Sequence, residues 1–460
     1  MTSVRLWLAA SCLTFLLVLP QSMQSAAQQP PSPPAAAQPI TAQSSAPSAQ
    51  PASQPTGQAY TLPPDKLANA IELDHIRNIL DIAGGLWGIV VLWLLLATRS
   101  AAGLEAWTQR VSSRRWLQGV LFFAVLIAIL TLASLPIDVC GHHVSVAYGI
   151  SIQGWLSWFG DQAKSLGITV LFVTPVLLLF NWIVRRWPRR YWFGIWLAAL
   201  PLMVISLFVS PLFEPLFNKY EPLAKNHAAL VDKLELVVAR TGTNIPPDRI
   251  FLMLASLKTN GLNAYVNGIG ATKRIVVWDT TAGRIPDDEV MFVFGHESGH
   301  YVLNHIPKML TLMGIGAFFV FWACAEFAGW LAHRFGASWH LQAENSSVPA
   351  LATRAGFVVL ILTITIAGFV LEPVTNTMSR HFEHQADVYG QEAIHGLVPN
   401  PQKTAVAGFN ALGEAYLEDP NPNPFIEFWE YNHPSVKNRA NFAAHYDPWA
   451  NGGHGEFFDK

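Results

Sequence analysis

The sequence predicts a multi-pass α-helical membrane protein with a small α+β domain attached to it. Three observations carry this. Apolar runs of membrane-crossing length recur along the chain, charge is scarce, and the stretch 211–307 breaks the runs with strand-like and helix-like patterning.

Of 460 residues, 51% are hydrophobic and only 13% charged, whereas soluble domains carry charge on about a quarter of their residues. The 17 Trp fit the same environment, since indole rings settle at the membrane interface. Six runs approach or reach the length that crosses a hydrocarbon core of about 30 Å. They are Ile82–Thr98, Trp116–Pro136, Leu166–Val184, Tyr191–Ser210, Met309–Leu331 and Ala350–Leu371. A single run of this kind is often a buried core helix; six in one chain point to lipid as a partner. The formal net charge of -2 argues against nucleic acid, whose phosphates call for a basic surface. Cys12, Cys140 and Cys324 lie in or beside apolar runs without metal-type spacing, which argues against a disulfide framework or a thiolate metal site.

The amino terminus has the order of an export signal. Arg5 precedes the apolar stretch Leu6–Leu19, and the small residues Ser25, Ala26 and Ala27 follow. An uncleaved anchor is the alternative. From Gln28 to about Pro64 the chain is rich in Pro, Ala, Gln and Ser, with too little apolar surface to fold, and is expected to be a disordered tether. The expected organisation is therefore a signal or anchor at 1–27, a tether at 28–64 and a four-helix membrane domain at 65–210. A soluble domain at 211–307, two membrane helices at 308–374 and a helical carboxy-terminal part at 375–460 follow. Arginines cluster after the first run (Arg99, Arg110, Arg114, Arg115) and after the third (Arg185, Arg186, Arg189, Arg190). Basic residues in short loops stay cytoplasmic, so 211–307 and the carboxy terminus are expected on the opposite face.

Chemistry concentrates at Gly295-His296-Glu297-Ser298-Gly299-His300. Asp287, Asp288 and Glu289 favour a helix start, so a helix is expected over Asp287–Asn304. On it His296 and His300, four apart, share one face and can each offer a ring nitrogen to one Zn²⁺. Glu297 lies beside that metal, placed to take a proton from the attacking water and return it to the leaving amine. The bland reading is two histidines packing on an amphipathic helix. A zinc hydrolase needs a third protein ligand, and no histidine stands after His300 where an extended three-histidine motif would put it. Ser379–Asp387 supplies candidates: Glu383 ranks narrowly first, with Asp387 one turn on to orient a ligand histidine, and His381 and His384 as rivals. No role is expected for His305 or the His142-His143 pair beyond solvent-facing or interfacial placement.

At these segments the chain resembles the type I CAAX prenyl proteases, integral-membrane zinc peptidases related to HtpX-like proteases. Further matching stretches are Pro211–Phe213, Phe217–Leu223, Thr259–Val266, Lys273–Thr280, and His433-Pro434-Ser435 with Arg439. They extend the resemblance from about Lys66 to Arg439. It implies a zincin-type metallopeptidase domain with Glu383 as third ligand, and Asp387 and Arg380 behind the ligands. The strand carrying Asn263, Ala264 and Tyr265 would lay out the substrate backbone. His433 would donate to the developing oxyanion, and Arg439 would contact substrate or brace the site. The chain departs from the family at its amino-terminal signal and tether and in the expected orientation of its catalytic side. The substrate is expected to be a peptide or protein, prenylated or membrane-derived. The functional expectation is zinc-dependent endoproteolysis after a prenylated Cys, with quality-control cleavage of membrane proteins as the alternative. A non-catalytic zinc-containing scaffold or transporter would have no use for Glu297.

Overall fold

The computed structural model describes residues 59–268, 273–341 and 348–458. The expected signal and nearly all of the expected tether lie outside these residues. The end of the tether does not behave as expected: Tyr60 is fully buried, donating its hydroxyl to the Glu418 carbonyl, and the Ala59 amide donates to Asn441 Oδ1. An aromatic ring and a neighbouring apolar Leu62 are enough to dock this short segment on the carboxy-terminal helices.

Helices α1 (Pro64–Ala97), α2 (Ser100–Val111), α3 (Arg115–Ala147), α4 (Trp155–Arg186) and α5 (Tyr191–Phe217) come first. Strand β1 (Tyr220–Pro222), α6 (Ala228–Thr241), β2 (Ile250–Met253), β3 (Ala264–Asn267), β4 (Arg274–Trp278) and α7 (Asp279–Ala282) build the soluble layer. Then come α8 (Asp287–Val302), α9 (His305–Phe335), α10 (Arg354–Ala393), α11 (Pro401–Tyr416), α12 (Pro424–Glu430) and α13 (Val436–His445). Among the described residues six helices are long and apolar enough to cross a membrane: α1, α3, α4, the Tyr191–Val209 part of α5, α9 and α10. They match the six runs. The boundaries expected from sequence at 210/211, 307/308 and 374/375 fall inside helices. Helix α5 runs through Pro211 and Pro215, and α10 through Pro373, into the soluble layer without a break. Hydropathy changes where lipid ends, whereas backbone hydrogen bonding does not.

The sheet has the order β1-β2-β4-β3, with β2 and β4 parallel and the outer pairs antiparallel, so β3 is an edge strand. Sequence places strands at about Arg249–Met253, Asn263–Gly268 and Arg274–Trp278, and β2, β3 and β4 stand there. The fourth, Tyr220–Pro222, is too short for any alternation to show. One sheet face buries Ile250, Leu252, Ala264, Ile275 and Val277 against Val290, Phe292 and Phe294 of α8. Phe292 meets Phe409 of α11 edge to face at 5.1 Å. That face is the platform on which α8 lies.

At the other end of the bundle, Arg354 is buried and reaches Gln118 Oε1 at 3.0 Å and the Arg115 carbonyl at 2.9 Å. Glu105 accepts the amides of Arg354 and Ala355, closing the start of α10. Helices α2, α3 and α10 are thereby pinned together at the end remote from the sheet.

Candidate metal centre

Helix α8 begins with Asp287, Asp288 and Glu289 in its first turn, where acidic groups complement the helix dipole. It packs directly on α10, and glycine makes the approach close. A Cβ on Gly390 would stand 2.7 Å from the His296 nitrogen, and one on Gly295 3.1 Å from the Gly390 carbonyl. This contact brings residues 83 positions or more apart in sequence into one site.

His296, His300 and Glu383 are all buried, and one ligand atom from each lies within 4.8 Å of the others. The two Nε2 atoms stand 3.1 Å apart and face Glu383, whose Oε2 is 3.3 Å from His296 Nε2 and makes no well-aligned hydrogen bond among the described residues. Such a carboxylate oxygen opposite two imidazole nitrogens is a donor set that fits a zinc-sized cation. The rivals His381 and His384 are exposed, with His384 turned onto the Phe442 ring.

Each imidazole is held from behind. His296 Nδ1 lies 2.8 Å from Asp387 Oδ1, which fixes the tautomer that leaves Nε2 free for metal. Burial disfavours the charged form of His296, but its hydrogen bonds to Asp387 and Glu383 outweigh burial and raise its pKa to about 10. Metal loading must therefore release that proton. His300 Nδ1 lies 3.0 Å from His305 Nδ1, and His305 Nε2 lies 3.1 Å from Gln385 Oε1. His305 is thus not a solvent-facing histidine; it is buried between His300 and the Phe382 ring. The spacing concealed it, because residues five apart do not share a helix face. Asn304, with φ of 56°, breaks the helix between them and turns His305 back onto His300.

Glu297 lies on the same turn, and burial raises its pKa while the two histidines oppose the shift. His433 Nε2 lies 3.2 Å from Glu383 Oε2, and its Nδ1 2.7 Å from Asn432 Oδ1. Burial pushes His433 down to about 4, so it is neutral at ordinary pH. Arg439 does not reach into open space toward substrate. It donates to both oxygens of Asp387 at 2.9 and 2.6 Å, over the face of Phe409, and so braces the carboxylate that orients His296.

Arg380 departs from its expected place behind the ligands. Its Nη1 donates to the carbonyls of Glu427, Phe428 and Tyr431, closing the end of α12 just before His433. The orphan carbonyls at that helix end attract the guanidinium more strongly than the carboxylates already paired with Arg439. On β3, Ala264 points into the core under α8. Tyr265 points the other way, its hydroxyl 3.2 Å from Glu214 Oε2. The Asn263 amide is held by Thr281 Oγ1 at 2.7 Å. Only the outer backbone edge of β3 is therefore presented for pairing.

The fold and this site define a membrane-integrated metallopeptidase. A model of peptidase family M48 matches residues 225–447, and one described as the CAAX prenyl protease N-terminal region, five membrane helices, matches residues 51–219. The uncharacterized metalloprotease YhfN of Bacillus subtilis is 32% identical over 84% of this chain and 87% of its own length. CAAX prenyl protease 1 of Saccharomyces cerevisiae is 27% identical over 70% of this chain and 71% of its own. The crystal structure of S. mikatae Ste24p shares the fold, with a TM-score of 0.70 at 22% identity, covering 84% of this chain and 90% of that one. The chain belongs to peptidase family M48.

Proposed function

We propose that this protein is a zinc-dependent endopeptidase of CAAX type, cutting peptides that carry a prenylated cysteine. The observation that carries the reading is the buried His296–His300–Glu383 triangle with Glu297 and His433 beside it, next to a free strand edge. Relatives that bear the CAAX prenyl protease name support the substrate class.

His296, His300 and Glu383 would hold the zinc, which supplies Lewis-acid polarisation of the scissile carbonyl and acidifies water. Glu297 accepts the proton of the attacking water and passes it to the leaving amine. His433 donates from Nε2 to the developing oxyanion, which requires its Nδ1 to accept; Asn432, whose Oδ1 faces that nitrogen at 2.7 Å, meets the need only with its amide flipped to present Nδ2. Asp387 and Arg439 hold His296, and His305 and Gln385 hold His300, so both rings keep their angle. Substrate backbone pairs along the open edge of β3.

The test is cleavage of a farnesylated CAAX peptide by the detergent-purified protein. A zinc chelator is expected to abolish cleavage and added Zn²⁺ to restore it. No cleavage by folded, zinc-loaded protein would remove the prenyl-peptide reading.

The active face is proposed to lie opposite the cytoplasm. Residues 59–62 dock on the carboxy-terminal helices, so the chain enters α1 from the peptidase side. The arginine-rich loops lie at the other end, where Arg99 bonds the Ser338 carbonyl and Arg354 meets Glu105. A reporter fused after Lys460 is expected to be active only outside the cytoplasm; a cytoplasmic signal would reverse the orientation. This orientation favours a second reading of the same site, quality-control cleavage of exported membrane proteins.

A further inference from the structure

Arg77 lies on α1 just before the apolar run that begins near Ile82, at the peptidase end of that helix. Its Nη1 donates to the Tyr416 carbonyl at 3.0 Å. Its Nε and Nη2 are buried and donate to nothing among the described residues. These two nitrogens form the side edge of the guanidinium, the fork that matches a carboxylate with two parallel hydrogen bonds. Burial disfavours its charge, and Glu418, Asp81 and Asp74, within electrostatic reach, offset that in part. Asp74 is nevertheless engaged elsewhere, accepting from the Tyr431 hydroxyl at 2.6 Å and from Asn78 at 2.8 Å. The charge is held, and its fork is unengaged.

The surroundings place this fork beside the candidate site. Tyr416, which holds Nη1, donates its own hydroxyl to the Leu262 carbonyl at 2.8 Å, at the entrance to β3. The next residue, Asn263, has a second buried and unpartnered donor, Nδ2. Tyr431 stands two residues before His433. Glu418 feels both Arg77 and Arg439, and Arg439 is bonded to Asp387. A peptide added antiparallel to β3 runs its carboxy terminus toward Leu262. Three extended residues beyond the cleaved bond span about 10 Å, a length suited to bridging the site and this fork.

We infer that Arg77 is the receptor for the free C-terminal carboxylate of the substrate, and selects short carboxy-terminal tails over internal peptide bonds. The inference rests on the endopeptidase reading above. The experiment compares two farnesylated CAAX peptides that differ only in a free acid or a carboxamide at the terminus. Native protein is expected to cleave the acid with kcat/KM about 10- to 100-fold higher, the range of a hydrogen-bonded charge, chiefly through KM. Arg77→Gln is expected to cut both peptides with the efficiency that native protein shows for the amide. Equal cleavage of acid and amide by native protein overturns the inference, as does an acid preference retained in Arg77→Gln. Cleavage of neither peptide by folded, zinc-loaded protein removes the prenyl-peptide reading, and the inference with it. A misfolded Arg77→Gln reveals itself by failing on the amide too, and the acid-to-amide ratio of native protein then decides.

Discussion

Glu297→Gln is expected to lower peptide cleavage by about two to four orders of magnitude, the range for losing a positioned acid–base group, with zinc content unchanged. Gln keeps the shape and the hydrogen-bonding reach of Glu but has no basic oxygen. The three groups that can hold metal are His296, His300 and Glu383, and none is altered by the change. Burial raises the pKa of Glu297, which brings its basicity nearer to working pH and makes it a better proton acceptor than an exposed carboxylate. Single-turnover cleavage and metal analysis on the same preparation separate the outcomes. More than a tenth of native activity would show that another group takes the proton. Loss of zinc would show that Glu297 holds metal. Native and variant proteins that both bind zinc and both fail to cleave would favour the scaffold reading.

Gly390→Ala is expected to weaken zinc binding by at least about tenfold and to lower activity with it. The added Cβ would lie 2.7 Å from the His296 nitrogen and 3.0 Å from its Cα. Both are backbone atoms, so no side-chain rotation relieves the clash and α8 must move away from α10. That movement separates the histidines from Glu383, which no single helix can hold in register with them. Overpacking of this kind costs about 1–3 kcal/mol, which also predicts a lower thermal midpoint. Gly316→Ala on α9 is the control, since its Cβ would meet nothing within 4 Å. Chelator competition on the two variants reads the effect. Native zinc affinity in Gly390→Ala would show that the helices adjust without opening the site.

The elements legible in the sequence are those set by local periodicity or composition. Apolar length marked the six candidate spans, and an i, i+4 pair of histidines placed His296 and His300 on one helix face whatever surrounds them. The strands at 264–267 and 274–278 were legible through the resemblance of Thr259–Val266 and Lys273–Thr280 to family stretches rather than through local periodicity. Glu383 was separable from His381 and His384 only narrowly by spacing, because a helix face says nothing of which neighbour it will meet.

What the sequence determined by itself was that this chain spans a membrane repeatedly and carries the His296–Glu297–His300 pattern on one helix. The tertiary structure decided which residues that helix meets. It turned His305 onto His300 through one left-handed residue, drew Arg380 to the end of α12, turned Arg439 onto Asp387 and docked Tyr60 where a tether was expected. The physical reason is that a side chain's partner depends on how closely two elements pack and on where the backbone turns. Glycine sets that distance at 295 and 390 between α8 and α10, and at 413 against Tyr60.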